Sequence, residues 1–181
     1  MTPLEPPKTY NVKCRFRIQE KLSIPEELEP FVTTHSNFVV LRLLHFVITS
    51  FYKAKSVNVT GVRNFDDLEK ARQAFNDFIK PKIKVEKEDV IVDCSTSSGR
   101  TNQKVHIDLP KIQADIDGEK IGVSYNPHYF PGAVIRRKKK GTVILFRTGS
   151  YIILGSKSAE EVHDSFRSIC KLIKRVCTVK E

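Results

Sequence analysis

The sequence predicts an α+β protein made of two copies of one unit, each an antiparallel sheet with helices on one face. Three observations carry this prediction. Short β-runs alternate in polarity, two long amphipathic segments begin at capping residues, and the order strand, helix, three strands, long helix occurs twice within 181 residues.

The composition favours a polyanionic partner. Lys and Arg number 31 against 21 Asp and Glu, which gives a net charge of +10 and a pI near 9.5. There is no apolar run of about 18 residues and no apolar core near the amino terminus, so we expect neither a membrane span nor a signal peptide. The four cysteines lack CxxC spacing and are expected to be free thiols in a reducing compartment.

The first unit begins after a proline-containing stretch, residues 1–9, that we expect to be a flexible arm. From Tyr10 to Ile18 the residues alternate, which predicts a strand with one buried and one cationic face. The buried face comprises Val12, Cys14, Phe16 and Ile18, and the cationic face comprises Asn11, Lys13, Arg15 and Arg17.

The remaining elements of the first unit follow from capping and periodicity. Ser23, with Glu26 three residues later, predicts a short helix ending near Pro30 or Phe31. Asn64 predicts the start of a long helix that Pro81 ends. The β-runs are Phe38–Leu44, Phe46–Tyr52 and Ser56–Gly61; the helical stripe is Leu68, Ala71, Phe75, Phe78 and Ile79; and Lys80–Asp89 is expected to be a solvated connector.

The second unit repeats this order. We expect a strand around Thr96–His106, a helix capped by Asp108, three β-runs, and a helix from Ser158 to about Val176. The β-runs are 132–137, 142–147 and 150–155, and the inward helical residues are Val162, Phe166, Ile169, Leu172 and Ile173. A shift of 94 positions superimposes Val40 on Val134, Arg42 on Arg136, Ser56 on Ser150 and Gly61 on Gly155. We therefore expect repeats at 10–80 and 90–176, a connector at 81–89 and a tail at 177–181.

The face of the second sheet that points away from the helices is predicted to be unusually apolar. If Ala133, Ile135, Val143, Leu145, Tyr151 and Ile153 face the helices, the opposite face carries Phe130, Gly132, Val134, Arg136, Ile144, Phe146, Ile152 and Leu154. An apolar face of that extent indicates a binding surface or an interface with another subunit. The basic run Arg136–Lys140 is either a solvated hairpin tip, a localisation signal or an auxiliary phosphate contact.

No catalytic constellation accompanies this surface. The five histidines are scattered, and none has a nucleophile or metal-type neighbour at a useful spacing. We therefore expect a protein that is not an enzyme and that uses no cofactor and no metal.

Several motifs resemble the TATA-box-binding protein family. SYNPHYFPGAVIRR is similar to the family's S-Y-E-P-E-L-F-P-G-L-I-Y-R, and ILFRTGSYIILGSK is similar to L-I-F-V-S-G-K-V-V-L-T-G-A-K. In the first half, KLSIPEEL, NFVVLRL and VNVTGVR resemble K-L-D-L-K-T-I-A, A-V-I-M-R and M-V-C-T-G-A-K. Together these segments cover about residues 10–176.

This resemblance implies a saddle with a pseudo-twofold duplication: a curved antiparallel sheet of ten strands with four helices on its convex face. It implies a basal transcription initiation factor that binds and bends promoter DNA through the minor groove. Its partners would be double-stranded promoter DNA, a transcription factor IIB-like protein, other basal factors and RNA polymerase, without a membrane. The location would be the nucleus, or a viral transcription site.

The resemblance also implies the residues that contact DNA. Phe130 and Phe146 match two phenylalanines that wedge into a base step, with Ser36 and Tyr52 at the corresponding first-repeat positions. Asn11 matches an asparagine that reaches base edges, and Thr96 is its second-repeat counterpart. Groove-facing positions fall on Val40, Asn58, Thr60, Val134, Ile144, Ile152 and Leu154, and phosphate-contacting positions fall on Arg42, Arg63, Arg136 and Lys157.

Two departures from the family pattern affect the expected function. Lys13, Arg15 and Arg17 make the first-repeat face more cationic, which would add salt-dependent affinity. Asn126, His128 and Tyr129 stand in the loop where the family has an acidic partner-binding sequence. Two alternatives stay open: a nucleic-acid module of this fold that does not kink promoters, and an interaction protein that dimerises through the apolar face when DNA is absent.

Overall fold

The structure, a computed structural model, describes residues 5–20, 22–101, 104–107, 121–137 and 140–176. These residues form two compact units. The amino-terminal unit is Tyr10–Cys94, and the carboxyl-terminal unit comprises the described residues before Tyr10 and after Cys94.

The amino-terminal unit is a five-stranded sheet in the order β2-β3-β4-β5-β1, with every described pair antiparallel. Its strands are β1 (Lys8–Arg17), β2 (Val32–Thr34), β3 (Phe38–Leu43), β4 (Phe46–Phe51) and β5 (Ser56–Val62). Its helices are a 3-10 helix (Glu26–Phe31), α1 (Asp67–Ile79) and a second 3-10 helix (Lys87–Asp89).

The carboxyl-terminal unit repeats this sheet in the order β6-β10-β9-β8-β7, again antiparallel in every described pair. Its elements are β6 (Val90–Arg100, which begins within the amino-terminal unit), β7 (Ile121–Asn126), β8 (Phe130–Arg137), β9 (Lys140–Phe146), β10 (Ser150–Ser156) and α2 (Ala159–Val176). The ten strands confirm the predicted α+β sheet.

Helices cover one face of each sheet, because alternate strand residues are apolar and pack beneath them. In the amino-terminal unit Val12, Cys14 and Phe16 are buried, and the ring of Phe16 meets the edge of Phe75 from α1 at 5.3 Å. In the carboxyl-terminal unit the six predicted helix-facing residues are at most 3% exposed, which confirms that prediction. They are Ala133, Ile135, Val143, Leu145, Tyr151 and Ile153.

Both long helices begin as the capping pattern predicts. The Oδ1 atom of Asn64 accepts a hydrogen bond from the Asp67 amide at 2.9 Å, and the Oγ atom of Ser158 accepts one from the Glu161 amide at 3.1 Å. Both caps leave fewer helix amides without an acceptor. The two pairs are 94 positions apart, like the repeat itself.

Other local predictions were wrong. The short first helix is a 3-10 helix whose N-terminal flank is Pro25, without a side-chain capping bond, so Ser23 does not cap it; Pro30 inside it also lacks an amide to donate. Phe78 is 41% exposed and lies outside the apolar stripe of α1. The strand expected at Thr96–His106 runs instead from Val90 to Arg100, while the helix start at Asp108 lies outside the described residues.

The connector after α1 is docked on the helix rather than solvated throughout. Val85 is buried, and its backbone amide and carbonyl both bond to the side chain of Asn76 at 2.9 Å. Arg72 donates a further bond to the Val85 carbonyl at 2.6 Å. The docking of Val85 could not be predicted from the sequence because charged residues surround it.

The stretch before β1 is attached to the carboxyl-terminal unit at Glu5. Its amide donates to the Arg100 carbonyl at 3.0 Å, and its carbonyl accepts from the Tyr151 hydroxyl at 2.6 Å. Tyr151 lies directly over Gly99, where any Cβ would collide with the phenol ring. Burial raises the pKa of the Tyr151 hydroxyl, with a smaller effect of nearby Cys170.

Candidate nucleic-acid interface

The candidate site is the open face of each sheet, defined as the face away from the helices. In the carboxyl-terminal unit, strand pairing places Val134, Ile144 and Ile152 side by side, with Ser98 next to Ile152. We call this the apolar row. All four residues are half-buried. The next row along the strands is Arg136, Thr142, Leu154 and Thr96.

An aromatic pair lies beside the apolar row, on the side away from Arg136 and Thr142. Phe130 is 42% exposed, Phe146 is half-buried, and their ring centroids are 6.0 Å apart. Gly132 lies opposite Phe146, and a Cβ there would approach ring atoms of Phe130 and Phe146 to 2.8 and 3.0 Å. The glycine therefore makes room for the Phe130 ring.

The amino-terminal unit has a polar row at the equivalent position. Its members are Val40, Thr49, Asn58 and Arg15, each paired with the next across β3, β4, β5 and β1. The following row is Arg42, Val47 and Thr60. Thr49, Asn58 and Arg15 thus stand where the other unit has Ile144, Ile152 and Ser98.

A difference of one residue between the two hairpins corrects one site assignment. Leu41 pairs with Ile48 in the first hairpin, whereas Ile135 pairs with Val143 in the second. Leu41 and Ile135 are 94 positions apart, but Ile48 and Val143 are 95 apart. By strand pairing, the counterpart of Phe146 is therefore Phe51 and not Tyr52.

Phe51 forms the aromatic pair of the amino-terminal unit with Phe38. The two residues pair across β3 and β4, and their ring centroids are 5.5 Å apart. Phe38 occupies the position equivalent to Gly132, while Ser36 occupies the position equivalent to Phe130. The aromatic ring has moved two residues along the strand, so each unit carries a phenylalanine pair at the equivalent end of its own sheet.

Tyr52 lies outside β4 and is engaged elsewhere. Its hydroxyl donates to the His35 carbonyl at 3.1 Å. It lines a cavity of about 430 Å³ with Val39 and Ser50, which are buried on the helix-covered side. By strand alternation it belongs to the opposite face from Phe51. Only the pairing of the strands reveals this, since a constant shift of the sequence superimposes Tyr52 on Phe146.

The central strand β1 supplies cations to the polar row. Val12 and Cys14 are buried, so Lys13 and Arg15 point to the open face. The Nε atom of Arg15 lies 3.4 Å from Oδ1 of Asp93, with the side chains 47% and 25% exposed. Asp93 did not appear among the residues predicted from the sequence.

The other predicted contact residues border these rows. Asn11 and Thr96 are half-buried on β1 and β6. They are not counterparts, because Val12 pairs with Val62 as Ser95 pairs with Ser156, which makes Cys94 the equivalent of Asn11. Arg42, Arg63, Arg136 and Lys157 are exposed on or just beyond the strands. The Lys157 amide donates to Glu161 at 2.7 Å, which leaves its exposed side chain at the edge of the sheet. In the basic hairpin Arg137 is buried, while residues 138 and 139 lie outside the described residues.

The candidate partner loop is an exposed turn between β7 and β8. The side chain of Asn126 accepts from the His128 amide at 3.2 Å, and its carbonyl accepts from the Tyr129 amide at 3.1 Å. This turn presents Tyr129 at 90% exposure.

The described part of the chain shows neither a metal site nor a membrane-spanning helix. It contains no group of three or more His, Cys, Asp or Glu side chains arranged to hold a metal ion. None of its helices combines the length and the apolar character required to span a bilayer.

Similar proteins share motifs and fold with this chain. Residues 95–176 match the family model described as transcription factor TFIID, or TATA-binding protein. A TATA-box-binding protein from Archaeoglobus fulgidus is 35% identical over 96 residues, which are 52% of this chain and 45% of that protein. One from Aeropyrum pernix is 26% identical over 136 residues, 71% of this chain and 62% of that protein. The chain thus covers about half the length of these relatives.

The fold is shared more widely than the sequence. The structure of TBP from Methanococcus jannaschii superimposes with a TM-score of 0.71 over 95% of this chain and 100% of that protein, at 24% identity. This likeness confirms the fold class predicted from the sequence. The carboxyl-terminal half of the chain is thus similar in sequence to the TATA-box-binding protein family, and the chain shares the fold of the Methanococcus jannaschii protein.

Proposed function

We propose that this protein is a basal transcription factor that lays its open face in the minor groove of promoter DNA, bends the duplex and seats further factors. The observation that carries this proposal is the apolar row, flanked on one side by Phe130 and Phe146 and on the other by the exposed Arg136. Such a face combines contact with sugars and base edges, ring insertion and phosphate neutralisation.

The apolar row supports binding to A·T-rich sequence. Val134, Ile144 and Ile152 offer no hydrogen-bond acceptor, and a guanine 2-amino group facing them would lose its bond to water without replacement. A·T pairs lack that group.

Insertion at both ends of the site is the second part of the proposal. Phe130 and Phe146 would wedge into one base step, and Phe38 and Phe51 into the other. The sequence alone suggests one-sided kinking, because Ser36 and Tyr52 stand at the first-repeat positions. The aromatic pair at 5.5 Å supports a second wedge instead.

The remaining predicted residues would hold the duplex in register. Arg42, Arg63, Arg136 and Lys157 would meet phosphates, and Lys13 and Arg15 would strengthen the cationic side. Asn11 and Thr96 would bond base edges, and Asn58, Thr60, Val40 and Leu154 would contact the groove. This role places the protein at the transcribed genome, in the nucleus or at a viral transcription site.

The exposed turn is the proposed contact for a transcription factor IIB-like protein, with RNA polymerase and other basal factors recruited after it. Tyr129, with Asn126 and His128, offers an aromatic and polar surface rather than an acidic one. We therefore expect a partner whose matching surface does not depend on pairing with carboxylates.

The proposal is tested by fluorescence transfer between dyes at the two ends of a duplex selected from random sequences. Phe130→Ala and Phe146→Ala should each abolish most of the bend. Phe31→Ala is the matched control, because Phe31 is an exposed aromatic residue of the 3-10 helix, off the open face. Retention of wild-type bending in both variants would overturn the wedge assignment.

The same preparation separates the two alternatives. Equal affinity for an RNA–DNA hybrid and for A·T-rich duplex would favour a nucleic-acid module that does not kink promoters. A tight dimer by light scattering at low concentration and high salt, without DNA binding, would favour an apolar interface between copies of the chain.

A further inference from the structure

The Arg15–Asp93 ion pair places a carboxylate on the open face of the amino-terminal unit. Val90 and Val92 of β6 pack against the core of that unit, so Asp93, the next residue, points to the other face. Its Oδ1 atom lies 3.4 Å from Nε of Arg15, which itself stands in the polar row beside Asn58.

A carboxylate in this place is unfavourable towards most of what a minor groove offers. Phosphates are negative, and an A·T pair presents only the acceptors adenine N3 and thymine O2. The single donor in the minor groove is the 2-amino group of guanine. A carboxylate that is one-quarter exposed can accept that hydrogen bond, and Arg15 partly offsets its charge.

Arg15 complements this acceptor. Its side chain is 47% exposed, and a guanidinium has four N–H donors besides the Nε–H that lies near Asp93. Those donors, and the amide of Asn58 in the same row, suit guanine N3 and cytosine O2. The polar row therefore offers both the acceptor and the donors that a G·C pair requires.

We propose that Asp93, held by Arg15, determines specificity by accepting a hydrogen bond from a guanine 2-amino group, so that the amino-terminal unit selects a G·C pair. This inference rests on the proposed minor-groove function. In the carboxyl-terminal unit the position equivalent to Arg15 is Ser98, beside Ile152, so that unit lacks a guanidinium at the matching step. The pair thereby also fixes the direction in which the protein lies on its site.

The test compares duplexes that differ only in the 2-amino group. Starting from the selected duplex, each base pair is changed in turn to G·C and to inosine·C, which lacks that group, and affinity is measured at fixed salt. Wild-type protein should bind G·C about tenfold more tightly than inosine·C at one position, within one half of the site. At positions contacted by the apolar row, inosine·C should bind better.

Variants then identify the side chains that cause the preference for G·C over inosine·C. Asp93→Ala should abolish the preference at that one position while strengthening binding to all-A·T duplex. Asp77→Ala, which removes an equally charged exposed side chain from α1, should leave the preference unchanged. Arg15→Lys should retain the charge but weaken the preference, since it loses the planar donor set.

Three outcomes would overturn the inference. Inosine·C could bind at least as well as G·C at every position, Asp93→Ala could raise affinity for all duplexes equally, or Asp77→Ala could change the preference to the same extent. Each is measured on protein that binds duplex. Absence of saturable binding to any duplex would instead refute the proposed function.

Discussion

The thiol of Cys14, which is buried beneath the open face, has a pKa that is raised by its surroundings. Burial raises the pKa of its thiol to about 12, and the negative charge of Asp93 adds to the effect. Since an unfolded cysteine ionises near about 8.5, the folded state retains a proton that the unfolded state loses. The contribution of Cys14 to the free energy of unfolding is therefore intact below about pH 8.5 and falls as the pH rises towards 12.

The first prediction concerns the reactivity of this thiol. In native protein at pH 8, Cys14 should be alkylated far more slowly than the half-buried Cys94, because the reactive thiolate is scarce and enclosed. Mass spectrometry of timed digests measures both sites. Equal rates in denaturant serve as the control, and equal rates in native protein would contradict the burial described above.

The second prediction separates two neighbouring aromatic residues. Phe51→Ala should reduce the DNA bend at one end of the site, whereas Tyr52→Ala should leave it within error of wild type, since Tyr52 belongs to the other face. Dyes placed at one end and at the centre of the duplex report each kink separately. The opposite order of effects would restore the assignment made from the sequence.

At the scale of elements, a pair of equivalent glycines ends β5 and β10. Gly61 has φ of +86° and Gly155 has φ of +85°, a region that side-chain-bearing residues enter at a cost. A Cβ on Gly61 would also collide with the backbone carbonyl oxygen of His45, whereas one on Gly155 would find its nearest neighbour at 4.0 Å. Both positions carry the backbone strain of a positive φ, but only at Gly61 is there no room for a Cβ atom.

The third prediction follows from that difference. Gly155→Ala should lower the free energy of unfolding by about 1 kcal/mol from strain alone. Gly61→Ala should cost clearly more, because the His45 carbonyl must also move. Urea denaturation of the two variants compares them directly, and equal losses would show that the first hairpin yields to the extra methyl group.

Sequence patterns located the longer elements and missed those shorter or less regular. The caps at Asn64 and Ser158 and the alternation of β1 suffice to place their elements. β2 has three residues, too few for alternation to register, and β7 carries Ser124 and Asn126, which are typical of turns. The one-residue difference between the hairpins is set by strand pairing, so Phe51 could not be recognised from a constant repeat shift.

At the scale of the whole molecule, cationic and apolar surface are unequally divided. The polar row and β1 give the amino-terminal unit Lys13, Arg15 and Arg17, while the carboxyl-terminal unit has the apolar row. The fold and most of the candidate interface could be predicted from the sequence through family motifs. Asp93 could not, because its face depends on how Val90 and Val92 pack.

The fourth prediction uses this division. Lys13→Ala and Arg17→Ala should each weaken binding to all duplexes alike and reduce the slope of log affinity against log salt by about 1, as loss of one phosphate contact does. Ile152→Ala should lower affinity without changing the slope. Equal slopes in all variants would place the cations of β1 away from phosphates.

Tyr151 gives the protein a natural optical reporter. The chain contains no tryptophan and five tyrosines, and Tyr151 is the one enclosed between Gly99 and the Glu5 carbonyl. Because burial raises its pKa, alkaline titration followed by ultraviolet absorbance should show its phenolate only once this packing opens. Deleting the residues before Lys8 would then expose the phenol and shift that signal to lower pH, so the integrity of one unit can be followed without a label.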